Sequence, residues 1–123
     1  MELNEITGQV VDAAMKVHTK LGPGLLESAY EACLAYELRQ RGLKVETQVS
    51  LPIKYEGVQL DVGYRIDLFV ESRVIVELKA VEKMIPLYEA QLLSYLKQSG
   101  HKVGLLINFN VERLKDGIKR MAN

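Results

Sequence analysis

Three charged residues in the middle of the chain, Asp67, Glu77 and Lys79, have the types and the spacing of a hydrolytic metal site. Glu77 and Lys79 are two residues apart, so on a β-strand both side chains project from one face. Asp67 lies in the preceding alternating segment. Converging carboxylates suit Mg²⁺ or Mn²⁺, with the Leu78 carbonyl and waters completing the coordination. A lysine beside such a site can stabilise negative charge or help to activate a water.

The register of this hairpin can be predicted because residues that face each other in an antiparallel pair lie on one side of the sheet. A three-residue turn, 71–73, sets Asp67 opposite Glu77. The same register predicts two further pairs, Val70 with Val74 and Arg65 with Lys79. Facing carboxylates repel each other, and a bound cation would remove that repulsion. An ordinary interpretation also stays open, because Glu-x-Lys is common on the solvated face of a strand.

The segments before this hairpin predict two helices and a strand. Apolar residues recur at spacings of three and four over residues 4–21, which predicts a helix that Asn4 caps. Gly22-Pro23-Gly24 breaks the chain, and a second helix is predicted over 25–41. Alternation over 45–53 then predicts a half-buried strand, and Pro52 near its end indicates a sheet edge or a bulge.

The remaining elements are two long strands, a helix and a buried strand. Alternation predicts strands over 58–70 and 74–80, with the apolar residues of the first all on one face. Pro86 opens a helix that ends at Gly100, and the apolar run 103–108 predicts a strand covered on both faces. The tail fits an edge strand or a short helix.

The predicted order α-α-β-β-β-α-β indicates an α/β fold with a mixed central β-sheet flanked by helices. A helix between the third and fourth strands permits a right-handed crossover and a parallel pair. No repeat or linker interrupts the chain, so residues 1–123 are predicted to form a single domain.

The composition is that of an ordinary globular protein, with 123 residues, 16 basic and 16 acidic side chains and a formal net charge of zero. The longest uncharged stretches are too short for a membrane helix, and the N-terminus lacks the apolar run of a signal peptide. The only cysteine, Cys33, permits no internal disulfide, and a cytoplasmic location is expected.

The zero net charge hides an acidic N-terminal third and a basic C-terminal end. Among the bases of the tail, four form the best predicted cluster for phosphate contacts: Arg113, Lys115, Lys119 and Arg120. The two ends could equally pair with each other or face water.

Three motifs together resemble those of a known enzyme superfamily. Asp67, followed ten residues later by Glu77-Leu78-Lys79, resembles the core signature of the PD-(D/E)XK nuclease superfamily. Gln91-Leu92-Leu93-Ser94-Tyr95 resembles the Q-x-x-x-Y motif of its helicase-associated exonuclease branch. Gly24-Leu25-Leu26-Glu27-Ser28-Ala29-Tyr30 resembles the signature of the small GxxExxY family. The resemblance covers nearly the whole chain, although Ile66 stands where the superfamily's name implies a proline.

This resemblance implies a restriction-endonuclease-like fold and Mg²⁺- or Mn²⁺-dependent hydrolysis of phosphodiester bonds in DNA or RNA. The metal ligands would be Asp67 and Glu77, and the catalytic lysine would be Lys79. Glu27 would add an acid from a helix, while Gln91 and Tyr95 would orient the site or the nucleic acid.

Other interpretations remain open on the sequence. If Gly24 caps the second helix, Glu27 is its third residue and can reach back to the cap. Tyr30 fits a core position as well as a substrate contact. The whole chain could be a non-catalytic nucleic-acid-binding or protein-interaction module that keeps the nuclease fold, or a purely structural domain. A homodimer is possible and would help so small an enzyme to hold a duplex.

Overall fold

A five-stranded mixed sheet lies between two helices on one face and one helix on the other in the computed structural model, which describes all residues 1–123. The elements in chain order are α1 (Leu3–Leu21), α2 (Glu27–Gln40), β1 (Val45–Tyr55), β2 (Val58–Val70), β3 (Val74–Lys79), α3 (Pro86–Ser99), β4 (Val103–Asn108), a 3₁₀ turn (Leu114–Gly117) and β5 (Ile118–Ala122). The sheet order is β1-β2-β3-β4-β5. The predicted restriction-endonuclease-like α/β fold is confirmed. Of the two predictions for the tail, the edge strand is the one observed, because residues 118–121 lie in β5 and the 3₁₀ turn precedes them.

The crossover through α3 makes β3 and β4 the parallel pair, while the other neighbouring strands are antiparallel. All six residues of β4 are buried, as the uninterrupted apolar run predicts. Helices α1 and α2 cover one side of the sheet over a core that includes Val10, Leu34 and Phe109. On the other side, Leu92 and Leu96 of α3 pack on Ile75 and Leu106. None of the three helices combines the length and apolar character that a transmembrane span needs.

Strands β1 and β2 both change the face that they bury at the level of Asp67. In β2, Leu68 belongs to the core under α1 and α2, whereas Ile66 belongs to the core under α3. In β1, Val45 packs with the first core and Val49 with the second. The expectation that the apolar residues of β2 all point one way is therefore wrong, because both strands exchange their buried face at the level of Asp67.

The backbone of β1 shows where this break occurs. Gln48 has a φ of 52°, a left-handed value that is uncommon for a residue with a side chain. The β1–β2 pairing passes from Thr47–Leu68 to Val49–Ile66, and no pair joins Gln48 to Asp67. Both residues are thus released from the regular ladder at the same level of the sheet.

A second irregularity lies at Pro52, where the β1–β2 register shifts between Leu51 and Ile53. This bulge and the edge position of β1 agree with the prediction from the proline. Gly63 faces the bulge, and a Cβ atom on it would lie 1.6 Å from the Leu51 carbonyl oxygen. Only glycine permits so close an approach of the two backbones.

Candidate active site

Asp67 and Glu77 meet where the β2–β3 ladder ends. The ladder pairs Val70 with Val74 and continues to Leu68 and Val76, which is the register that the three-residue turn predicts. One residue further on, the Asp67 backbone N–H donates to Glu77 Oε1 at 3.2 Å, and the Leu78 backbone N–H donates to Asp67 Oδ2 at 2.7 Å. Each carboxylate therefore satisfies a backbone donor of the opposite strand in place of a ladder hydrogen bond.

The predicted pairing of Arg65 with Lys79 is wrong. Arg65 is exposed and pairs with Ser50 of β1. It has no partner in β3, because the β2–β3 ladder ends at the pair Leu68–Val76. Strands β2 and β3 are therefore unpaired beside the two carboxylates. The predicted Arg65–Lys79 pair would have continued the ladder across this opening.

Burial and a neighbouring charge change the acidity of Glu77. The residue is 9% exposed, and burial together with the Asp67 carboxylate raises the pKa of its carboxyl to about 8. The Asp67 N–H and Lys79 act in the opposite direction but do not cancel this rise. At neutral pH the Glu77 carboxyl is therefore protonated in the metal-free protein, and a hard cation held beside Asp67 would favour its ionised form. The donor set fits a divalent cation with two protein carboxylates, although no three His, Cys, Asp or Glu side chains converge as a preformed cluster.

Lys79 is the last residue of β3, and its strand end is anchored by β4. Its Nζ lies 4.3 Å from the centre of the Tyr88 ring, a cation–π contact that steadies the ammonium. The Lys79 carbonyl accepts the Phe109 N–H at 2.9 Å. The buried Asn108 side chain binds both the N–H and the carbonyl of Val81. These bonds fix the chain that follows Lys79 and hence the position of the lysine.

Helix α3 presents Tyr95 to the carboxylate pair. Burial raises the pKa of Tyr95 to about 12, and the nearby Glu77 carboxylate adds to that rise. The Tyr95 ring packs on Tyr64 of β2 with centroids 3.9 Å apart. Gln91 is half-buried three residues after Tyr88 and four before Tyr95, so it lies on the same helix face as two residues that reach the site.

Helix α2 adds two acids at the opposite side of the pair. Glu27 is the first residue of α2, exposed, and its charge contributes to the raised pKa values of both Glu31 and Glu77. The alternative in which Glu27 caps the helix from its third position is wrong. The cap residue is Leu26, and no side chain bonds to the helix end. The Glu27 carboxylate is therefore exposed beside the other acids and is available to solvent or to a ligand.

Tyr30, one turn further along α2, is a core residue. It is fully buried, stacks on Phe109 with centroids 4.5 Å apart, and its hydroxyl donates to the Gly22 carbonyl at 2.6 Å. The same hydroxyl accepts the Leu25 N–H at 3.1 Å. The tyrosine therefore ties the loop that precedes Glu27 to the hydrophobic core, which decides between the two interpretations of Tyr30.

We expect Tyr30→Phe to lower the free energy of unfolding by about 1 kcal/mol, because two backbone groups lose a shared partner while the ring stays buried. Urea unfolding followed by circular dichroism measures this change. Tyr36→Phe is the matched control, since Tyr36 lies on the same helix but is 60% exposed. A Tyr30→Phe midpoint equal to that of wild type would contradict the structural role.

Sequence reasoning missed three residues that the fold brings to the site: Glu31, Gln48 and Tyr88. Glu31 lies one helical turn after Glu27, and Tyr88 lies one turn before Gln91, so helical periodicity could have indicated both. Gln48 left no such signal. Its position in an alternating strand predicts a solvent-facing glutamine, and only the break in the ladder turns it toward Asp67.

The basic tail does not form the single cluster that its sequence predicts. Lys119 pairs with Glu89 of α3 at 2.8 Å, whereas Arg120 donates to Asn4 Oδ1 of α1 at 3.0 Å. Successive residues of a strand point to opposite sides of a sheet, so β5 divides these two charges between its faces.

Comparison with known proteins agrees with this architecture at the level of a superfamily. The family model that matches the chain is described as PD-(D/E)XK nuclease superfamily, and the match covers residues 4–121. No curated protein and no solved structure matches the chain. The resemblance at superfamily level is thus confirmed, and the narrower GxxExxY assignment stays a prediction.

Proposed function

Because the chain belongs to the PD-(D/E)XK nuclease superfamily, we propose that it is a divalent-metal-dependent nuclease that hydrolyses phosphodiester bonds of DNA or RNA. The observation that carries the proposal is the partly buried contact of Asp67 with Glu77 at the open end of the β2–β3 ladder, beside Lys79. A protein that only needed a stable sheet would gain nothing from two facing carboxylates, one of which must be protonated in the absence of a cation.

Asp67 and Glu77 would hold Mg²⁺ or Mn²⁺, which polarises a phosphoryl oxygen and lowers the pKa of a bound water. Lys79, anchored at the end of β3, would place its ammonium against the charge that develops on the phosphate. Tyr95 and Gln91 on α3 would orient the site or the nucleic acid from one side, and Glu27 would add an acid from the other.

The local charge supports a requirement for metal. Four carboxylates belong to the site, Glu27, Glu31, Asp67 and Glu77, against a single lysine. A phosphodiester carries a negative charge and would be repelled from such a surface at low ionic strength. A bound divalent cation would offset most of this negative charge, so substrate binding and catalysis would share one requirement.

Incubation of the purified protein with single- and double-stranded DNA and RNA tests the proposal. We expect cleavage of at least one of these substrates in Mg²⁺ or Mn²⁺ and none in excess chelator. Salt-dependent binding that is indifferent to chelator, without cleavage of any substrate, would contradict the proposal and favour a non-catalytic nucleic-acid-binding module.

A further inference from the structure

Gln48 occupies a place between two carboxylates that the proposed catalytic set leaves without a role. Its Nε2 donates to Glu31 on α2 and, at 3.3 Å, to Asp67 Oδ1 on β2. The other oxygen of Asp67, Oδ2, accepts the Leu78 N–H of β3. The Asp67 carboxylate is therefore held through both oxygens, by a backbone donor from one neighbouring strand and by the Gln48 amide from the other.

The backbone gives Gln48 this position at a cost. With a φ of 52°, Gln48 leaves the β1–β2 ladder at the level where Asp67 also leaves it. A left-handed conformation of a residue with a side chain is unfavourable, and such conformations persist where the surrounding structure imposes them. A regular ladder at this level would pair Gln48 with Asp67 across the strands and bury one continuous face, which the exchange of cores in β1 and β2 rules out.

The amide also separates charges. Without it, the Glu31 and Asp67 carboxylates would face each other with no donor between them, and the two already influence each other electrostatically. The hydrogen bond from Gln48 opposes the upward effect of burial on the pKa of Glu31. A neutral side chain with two N–H donors is the group that can bridge two anions without adding charge to the site.

We propose that Gln48 is a positioning residue, whose side-chain amide joins Glu31 to Asp67 and holds the Asp67 carboxylate in the orientation that the site uses. This assignment rests on the proposed function for its catalytic consequence, while the orientation of Asp67 by Gln48 is a property of the metal-free protein. Groups that orient metal ligands in this way typically change metal affinity or activity by about 10- to 100-fold when they are replaced.

Two variants separate positioning from a purely structural role. Gln48→Met keeps the approximate size of the side chain and removes the amide without adding a charge, and Gln48→Gly relieves the left-handed backbone while removing the amide. We expect Gln48→Gly to unfold at the same or a higher temperature than wild type, yet both variants to bind Mn²⁺ about 10-fold more weakly in calorimetry and to cleave about 10- to 100-fold more slowly. Gln59→Met, at an exposed glutamine of the same hairpin that pairs with Lys54, is the matched control and should behave as wild type.

A double-mutant cycle in the metal-free protein tests the same contact without metal or substrate. Gln48→Gly and Asp67→Asn, singly and together, should show a coupling of about threefold in the unfolding equilibrium constant, because the amide stabilises the ionised Asp67 and gains little from an asparagine. Independent effects in this cycle would overturn the positioning role even if the protein neither binds metal nor cleaves nucleic acid. Conversely, a wild-type nuclease whose activity and Mn²⁺ affinity survive in both Gln48 variants would overturn the positioning role and leave the proposed function intact.

Discussion

Asp67→Asn is expected to abolish metal-dependent cleavage, with a fall in kcat/KM on the order of 10³-fold or more. The substitution keeps an oxygen for the Leu78 N–H but removes the negative charge that a divalent cation requires. Polarisation by a bound metal contributes several kcal/mol to such reactions, and each 1.4 kcal/mol or so corresponds to a factor of ten in rate. Initial rates of cleavage at saturating Mg²⁺ or Mn²⁺ measure the loss.

The loss should not arise from unfolding. Asp67→Asn removes a charge that disfavours ionisation of Glu31 and Glu77 and keeps an oxygen for the Leu78 N–H, so the variant should stay folded. Asp61→Asn, on the exposed part of the same strand, provides the matched control and should retain full activity.

Lys79→Ala should lower the rate by about 10²- to 10³-fold without weakening metal binding, since in the proposed mechanism the lysine would act on the developing charge of the phosphate and would coordinate no cation. Lys83→Ala, an exposed lysine four residues further on, controls for the loss of one positive charge. If wild type, Asp67→Asn and Lys79→Ala cleaved equally, the observed activity would belong to another site or to a contaminant.

The second large effect concerns the dependence of stability on pH. Glu77 has a pKa of about 8 in the folded protein and an ordinary value, 4.5, when unfolded. Between these values the folded state binds more protons than the unfolded state, so the free energy of unfolding falls as the pH rises. The destabilisation is complete above pH 8 and absent below 4.5. Each pKa unit corresponds to about 1.4 kcal/mol, so the rise from 4.5 to about 8 makes the decrease attributable to Glu77 on the order of 5 kcal/mol.

Urea unfolding of the metal-free protein at a series of pH values from 5 to 9 measures this decrease. Glu77→Gln should remove most of it and should be more stable than wild type at pH 9. Glu82→Gln replaces an exposed acid in the loop after β3 and should leave the pH dependence unchanged. An identical slope in wild type and Glu77→Gln would contradict the assignment of the effect to Glu77.

The same carboxyl links metal binding to protons. Since Mg²⁺ or Mn²⁺ requires the ionised form of Glu77, binding below pH 8 should release a proton, and affinity should rise as the pH approaches 8. Calorimetry in two buffers of different ionisation enthalpy counts the released protons. In Asp67→Asn this release should be smaller, because the pKa of Glu77 falls when its charged neighbour is removed.

The helices, the strands and the register of the β2–β3 turn could be predicted from sequence patterns alone. The periodicities fixed the type of each long element because they report which side of a helix or strand is buried. The alternation of faces across a three-residue turn predicted that Asp67 lies beside Glu77. The observed Val70–Val74 pair has this register. The spacing of the motifs also indicated the superfamily, because each motif is a short local pattern that can be recognised in the sequence.

The places where that regularity fails follow from contacts that the sequence pattern does not show. The left-handed Gln48, the exchange of buried faces in β1 and β2, and the opening of β2 from β3 beyond Leu68 depend on contacts between elements far apart in the chain. The same holds for the raised pKa of Glu77, which arises from burial against Asp67, and for the division of the basic tail between the two faces of β5. A sequence pattern describes the ideal strand, whereas the site is built where packing on both sides of the sheet prevents the strand from being ideal.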